Sequence, residues 1–490
     1  MKKNFISLSA LFLFFITGCD KDKDKDEPKP ADYTDTQKVN KFVVDCTEEL
    51  YLWESSINWS KFANEDTYRS YADPYSLLED MRHKDDRWSM LTEDVAGLYS
   101  ILDGVTTTYG FTLAVGKFSN KDAYYATIAY VSPHSPAELA GLKRGDFIVG
   151  INGGDITEAN YSDLFDSSSI SLTMGELGEN GLSAKPVPVN LTAVNMYEDP
   201  INTTTIIRMD EHIIGYVCYT GFIDTSEPDL EAVFRDFQNQ GVTDVVLDLR
   251  YNGGGYARTA QILCSILAPQ DAVNNKEVYL TRKWNDLYNN YWQQHGGNDE
   301  LFVDTLSVNM NLNNLYVLVT VNTASASEAT IIGLSAYMDV TLIGTPTHGK
   351  YYGGYVFSIN DYYESSSGYQ ADYYQSVANW GMSIITYRYA NKNNYPSFSG
   401  GLTPQIVVEE DFSDLKPFGD ISDPLLGRAV EQITGKPLME TRSDKLHKLP
   451  PYMLKMNLIR PADGLMIHRE SPPRLLERPV GNLQDGLLHR

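Results

Sequence analysis

Residues 315–334 read LYVLVTVNTASASEATIIGL: an apolar, β-branched run, a joint made only of Thr, Ala, Asn and Ser, and a second apolar run. The pattern predicts a strand reaching about Asn322 and a helix starting near Ser325. A helix start aims unpaired backbone N–H groups at whatever occupies the turn and favours negative charge there. Ser325 at that place can attack a carbonyl while neighbouring N–H groups hold the oxyanion. Ala324 and Ala326 are small enough to keep the approach open to a substrate backbone. A second turn, Asn252-Gly253-Gly254-Gly255, also ends an apolar run and can add an N–H donor. The same residues have simpler uses. Serine is a favoured N-cap, and NGGG serves as a tight turn or a phosphate cradle. The chain has neither GxGxxG nor a P-loop pattern to favour a nucleotide.

These turns need elements to hold them. From Ile201 the chain alternates strand and helix. HIIGYVCYTGF reads as a strand. DTSEPDLEAVFRDFQNQG reads as a helix with Ser226 three before Asp229, a capping-box spacing, with Leu230, Val233, Phe234 and Phe237 on one face and Gly241 at its end. TDVVLDLRYNGGGYARTAQILCSIL is strand, turn, helix; the Ser325 segment repeats that layout, and DVTLIGTPTHGK adds a strand. Repeated β-turn-α units imply an α/β layered core with ligand loops at the strand ends. Ahead of it, residues 34–100 have helical spacing (Val39, Phe42, Val43, Cys46, Leu50, Leu52; Asp73 before Pro74) and no evident chemistry. Residues 109–156 alternate short strands with one helix, expected over Pro136–Leu142, a turn at Arg144-Gly145-Asp146, and the strand FIVGIN.

That middle region resembles a PDZ domain of the bacterial protease type. The resemblance makes Tyr109-Gly110-Phe111 its carboxylate-binding loop, where backbone N–H groups hold a peptide C-terminus and the ligand adds a strand to a sheet edge. DLRYNGGG, TASASE and GTPTHGK, in this order behind a PDZ domain, resemble the carboxyl-terminal processing proteases, serine peptidase family S41. The resemblance implies a multidomain α/β fold: an N-terminal helical domain (34–100), a mostly β PDZ domain (101–196) and a crotonase-like/ClpP-like α/β catalytic core (197–436). It also implies a serine–lysine dyad, with Ser325 as nucleophile, Lys350 as base 25 residues on, and the N–H groups of Gly254 and Ala326 as oxyanion donors. No metal or organic cofactor is implied, and the substrates are proteins or peptides.

A lysine can serve as base only where burial lowers its pKa; VTLIG and the aromatic run YYGGYVF are expected to supply a dry pocket. One departure stands out: many family members carry a glutamine four residues after the lysine, and this chain has Gly354. His348, two residues before Lys350, offers a Ser–His variant, and Glu328, one helical turn past Ser325, a helix N-terminal contact. Three readings follow. One is an endopeptidase working through an acyl-enzyme on Ser325. The second is a peptide binder with the same fold and impaired turnover, and the third an acyl-thioester binder.

The formal charge of −25, from 40 Lys+Arg against 65 Asp+Glu, repels phosphate backbones and argues against a nucleic-acid partner. Residues 1–18 have two lysines and an apolar stretch from Phe5 to Ile16, the form of a secretory signal. ITGC resembles a lipobox with Cys19 as the lipidated residue, followed by a charged tether (19–33), so a lipid-anchored protein of the cell envelope is expected. Cys46, Cys218 and Cys264 form no metal or redox pattern and are expected as buried thiols. Residues 437–490 turn proline-rich and more basic, with little regular structure expected.

Overall fold

The computed structural model describes residues 33–178, 181–366, 369–438, 457–459, 466–468 and 472–476. Cys19, the leader and the tether lie outside the described residues, as does most of the tail.

The first helix, α1 (Asp35–Leu50), starts at a capping box: the Thr34 hydroxyl accepts from Gln37 N–H, and the Gln37 side chain accepts from Thr34 N–H. Val39, Phe42, Val43, Cys46 and Leu50 are buried, as their spacing requires. α2 (Pro74–Met81) begins at Asp73, whose carboxylate accepts from Tyr75 and Ser76 N–H. The strand β1 (Met90–Thr92) follows.

Next come β2 (Phe111–Lys117), β3 (Tyr124–Val131), α3 (Pro136–Leu139), β4 (Phe147–Ile151) and β5 (Ser169–Gly178), antiparallel neighbours in the order β2-β3-β4-β5. Leu113, Ile128, Ile148, Leu172 and Ala137 of α3 form the core beneath them. α3 is shorter than expected: Gly141 takes φ +81°, which ends the helix.

The α/β region holds β6 (Ile201–Met209), β7 (His212–Tyr219), α4 (Glu227–Asn239), β8 (Asp244–Asp248), β9 (Gly255–Tyr256), α5 (Ala257–Leu267), β10 (Val278–Trp284), β11 (Asp299–Leu301), β12 (Asn314–Val319), α6 (Ala326–Leu334) and β13 (Asp339–Gly344). Then follow β14 (Tyr352–Ser358), β15 (Gly381–Ala390), β16 (Ile406–Val407) and α7 (Pro424–Thr434). One sheet runs β6-β7-β8-β12-β13-β16, parallel from β7 onward. Its central strands β8 and β12 are buried on both faces. In β8, Val245 and Leu247 point to one core and Val246 to the other; in β12, Leu315, Val317 and Val319 oppose Leu318. α7 covers one face, through Leu425, Leu426, Ala429 and Val430. On the other face α6 is wedged between the parallel sheet and a second sheet containing β14-β15-β10-β11, and all nine of its residues are buried. The capping box expected at Ser226 does not form. Its hydroxyl donates to Ile223 O instead and sits 3.0 Å from the Tyr219 hydroxyl.

The helical region is not separate from this core. α1 shares one hydrophobic core with β7, β8 and α5, and β1 pairs with β15 of the second sheet. The tail also departs from expectation. Two short strands, β17 (Asn457–Ile459) and β18 (Met466–His468), lie in it, each paired to a sheet. Cys46, Cys218 and Cys264 are buried, and none is in a disulfide among the described residues.

Candidate active site

The turns after β8 and β12 lie side by side at the carboxyl ends of adjacent parallel strands, where open α/β sheets gather ligands. The polar residues of the joint are the pins that hold them together. The Thr323 hydroxyl donates to Leu249 O (2.8 Å), the Ser327 hydroxyl to Asn252 O (3.0 Å), and Ala324 N–H to Asn252 O (3.1 Å). Gly255 at φ +135° has no room for a side chain: a Cβ would stand 2.2 Å from Phe222 O. Below the turn, buried Arg250 pairs with Asp248, Glu410 and Asp423.

Ser325 caps α6 with φ +61° and ψ −113°, a backbone region costly for any residue but glycine. Such a serine is held there by its surroundings. Glu328 is the main holder. Its Oε2 accepts from Ser325 N–H and Lys350 N–H (both 2.9 Å), while Oε1 accepts from Gly349 N–H (2.7 Å) and the Thr347 hydroxyl (2.5 Å). The Tyr389 hydroxyl closes the clamp from the other side, at 2.9 Å from Ser325 O and 2.7 Å from Lys350 O. One carboxylate and one phenol therefore fix the backbones of residues 325 and 350 against each other. The expected helix N-terminal contact of Glu328 exists, and it extends to the Lys350 loop.

Both reactive atoms are sealed. Ser325 and Lys350 are each 0% exposed, and among the described residues neither Ser325 Oγ nor Lys350 Nζ has a hydrogen-bond partner. The approach that Ala324 and Ala326 were expected to keep open is closed here, since those alanines are buried in the same packing. Burial brings the Lys350 pKa down to about 7, against Asp86 and Glu328, which act to raise it. Burial likewise lifts Glu328 to about 7, opposed by its four donors. The dry pocket includes a residue the sequence did not single out: Trp88, whose ring lies 5.4 Å from Lys350 Nζ. Asp86 holds that segment by accepting from Trp88 N–H, Ser89 N–H and the Tyr51 hydroxyl. Trp88, Asp86 and Tyr389 come from β1's approach and from β15, far along the chain from either motif, and nothing in their spacing marks them.

The other sequence candidates fall as follows. Ala326 is the first residue of α6, so its N–H has no partner within the helix. Gly254 N–H, the second expected donor, gives its hydrogen bond to Asn252 Oδ1 (2.9 Å). His348 makes no hydrogen bond to Ser325 Oγ: its ring faces the Val321 backbone and Trp88, and burial lowers its pKa. Gly354 cannot be replaced by glutamine without movement, because a Cβ there would stand 2.0 Å from Ile384 O, at a bulge between β14 and β15. In the Tyr109–Phe111 loop, Gly110 takes φ +81° with Ser135 2.0 Å from where a Cβ would be, and its N–H is held by the Thr108 hydroxyl. A cavity of about 260 Å³ runs from this loop to the Gly-rich turn, lined by Thr108, Tyr109, Phe111, Glu198 and Gly253–Gly255 among others. Among the described residues no cluster of His, Cys, Asp and Glu could hold a metal ion.

Residues 213–408 match the sequence profile described as Peptidase family S41, and residues 127–173 match a PDZ domain. The chain is 28% identical over 298 residues to a carboxy-terminal-processing protease of Bartonella bacilliformis, covering 58% of each. It is 26% identical over 244 residues to the carboxy-terminal processing protease CtpA of Bacillus subtilis, covering 49% of this chain and 47% of that protein. The chain thus spans about half the length of these relatives. A crystal structure from Bacteroides fragilis, described as an S41 protease, superposes with a TM-score of 0.65 at 28% identity, over 80% of this chain and 97% of that one. N-terminal helices and a PDZ domain thus precede a core that, over residues 213–408, matches peptidase family S41.

Proposed function

We propose that this protein is a serine endopeptidase with a Ser325–Lys350 dyad. The observation that carries the reading is the pair of sealed, unpartnered groups, Ser325 Oγ and Lys350 Nζ, on backbones clamped together by Glu328 and Tyr389. Neutral Lys350 takes the Ser325 hydroxyl proton as Oγ bonds to the scissile carbonyl carbon. The resulting ammonium gives that proton to the leaving amine as the C–N bond breaks, leaving an acyl-serine. A water molecule, its proton taken by Lys350, then attacks the ester, and Ser325 recovers its hydrogen on departure. The negative oxygen is held by Ala326 N–H and by Gly254 N–H once the latter leaves Asn252. With Gly354 where a glutamine was expected, Trp88 and the buried wall around Lys350 orient the amine in place of a hydrogen bond.

The substrates are proteins or peptides with an extended segment, captured at the edge of β2 with a C-terminal carboxylate at Tyr109-Gly110-Phe111. Cys19 carries a lipid and anchors the protein in the cell envelope after removal of residues 1–18. No helix among the described residues is long and apolar enough to cross a membrane. In this reading the PDZ domain occupies 101–196 and the catalytic layers 197–436, and the helices of 34–100 pack into the catalytic core.

The test is cleavage of an unfolded casein by the chain from Asp20 to Arg490, beside Ser325→Ala and Lys350→Ala. Both variants are expected to lose turnover while keeping the parent's circular dichroism, and a fluorophosphonate probe is expected to label the parent at Ser325 alone. Undiminished cleavage by Ser325→Ala would sink the reading.

A further inference from the structure

The far end of the chain enters the sheet that carries the Lys350 side of the site. β18 lies between β9 and β14 and parallel to both, with Met466 opposite Gly255, Ile467 opposite Tyr256 and Gly354, and His468 opposite Tyr355. β9 begins one residue after Gly254, and β14 begins two residues after Lys350. The segment therefore joins the strand of the oxyanion turn to the strand of the base. Among the described residues, no other strand links β9 to that sheet. Without β18 the two strands face each other across a gap one strand wide, about 10 Å at ordinary strand spacing.

The occupant is seated by side chains as well as by backbone. Ile467 is buried among Val95, Leu98, Leu102, Tyr256 and Val356. The His468 ring stacks on Tyr355 with centroids 5.1 Å apart, and its Nε2 is 2.8 Å from the Tyr387 hydroxyl. Burial, with Arg282 nearby, keeps that imidazole neutral, so its 3.6 Å approach to Glu300 is not an ion pair. Downstream the chain is locked to α1. The Arg474 guanidinium pairs with the Glu49 carboxylate and lies 3.4 Å over the Tyr362 ring, while Leu475 N–H donates to Glu49 Oε1 (2.7 Å). Glu49 is fully buried, so this lock is shielded from water. A second piece, β17, pairs along β2 from Val115 to Leu113, the edge that a captured peptide would extend.

We propose that the C-terminal segment is a built-in occupant of the substrate's strand slot: residues 466–468 fill the gap between β9 and β14, Arg474 locks them on Glu49, and turnover requires their release. This rests on the peptidase reading above. It makes the occupant a print of the slot's preference. A strand slot recognises backbone, and its pockets choose side chains. The pocket of Ile467 takes an apolar residue, and the next position takes a ring that can stack on Tyr355 and meet the Tyr387 hydroxyl.

The experiment compares the chain from Asp20 to Arg490 with Ile467→Asp, which puts a charge in the apolar pocket, and Arg474→Ala, which opens the lock. Three readouts are taken: casein cleavage, fluorophosphonate labelling of Ser325, and amide hydrogen exchange in β9 and β14. Both variants are expected to cleave and label at least tenfold faster, with faster exchange in those two strands. A synthetic peptide of residues 463–476 is expected to slow them again. A variant that merely unfolds loses activity, so a gain in either one is specific. Faster exchange in variants of a parent that does cleave, with their cleavage unchanged or lower, overturns the inference alone, as does unchanged exchange in both variants. No cleavage and no labelling in parent and variants, with exchange raised, overturns the peptidase reading instead.

Discussion

At the scale of single residues, the site is governed by one buried amine. Lys350 has its pKa near 7 in the folded protein and near 10.5 when unfolded. Under the proposed dyad the rate of acylation is therefore expected to rise as pH passes about 7 and to level off above it, since only a neutral amine can accept the Ser325 proton. Asp86 and Glu328 both hold that pKa up, so Asp86→Asn or Glu328→Gln moves the midpoint to lower pH. Glu328→Gln also disturbs the clamp and is expected to lower kcat about tenfold, the size of ~1.4 kcal/mol, with little change in KM. A pH series of kcat and KM for the three proteins checks both statements. The same burial costs stability. The unfolded chain binds the proton that folded Lys350 gives up between pH 7 and 10.5, so this penalty is largest at and below pH 7 and fades as pH rises to 10.5. At pH 7 it is on the order of 4 kcal/mol. Lys350→Met is thus expected to be inactive and to melt at a higher temperature than the parent at pH 7, with the difference shrinking at pH 9.5.

At the scale of elements, the deciding contacts are backbone approaches. Gly354→Gln would restore the residue many relatives carry, yet its Cβ would meet Ile384 O at 2.0 Å. It is expected to cost about 1–3 kcal/mol through overpacking and to bring no gain in turnover, as thermal unfolding and the casein assay would show. Much of this level was legible beforehand. The periodicity of β8 and β12, the Asp73-Pro74 start of α2 and the Gly-rich turn all carry local signals, because the physics that sets them acts over a few residues. Ser325 and Lys350 were legible through motifs. Trp88, Asp86 and Tyr389 were not, since each reaches the site from an element distant in sequence and has no local pattern to betray it. The short α3 and the unformed cap at Ser226 failed for local reasons: Gly141 at φ +81° ends α3. At Ser226, an alternative partner, Ile223 O, won the hydroxyl. β18 was invisible because three residues show no periodicity, and its strand character comes wholly from the slot that receives it.

At the scale of the molecule, the PDZ domain is joined to the catalytic layers by a buried charge cluster. Arg144, in the turn before β4, pairs with Glu410 (2.7 Å) and donates to Lys416 O and to the Tyr251 hydroxyl, beside Arg250. Although burial would push Glu410 and Asp423 up, Arg250 and Arg144 hold both carboxyls below their ordinary range. Their contribution is present above about pH 4 and is lost as acid protonates them in the folded state. Arg144→Ala is expected to destabilise the protein by about 3–5 kcal/mol, since a buried partner is left short of its counter-charge. Its casein cleavage is expected to fall further than its fluorophosphonate labelling, because only the former needs the PDZ domain in place; denaturant titration and the two assays together test this. The cavity between the Tyr109–Phe111 loop and Gly253–Gly255 lies beside that cluster, lined by Tyr130, which packs on Tyr251. If the proposed carboxylate loop and the proposed dyad are fixed on one body, the protein acts as a ruler. The fragments it releases should be uniform in length rather than in sequence, and a mass spectrum of its products would read that length directly.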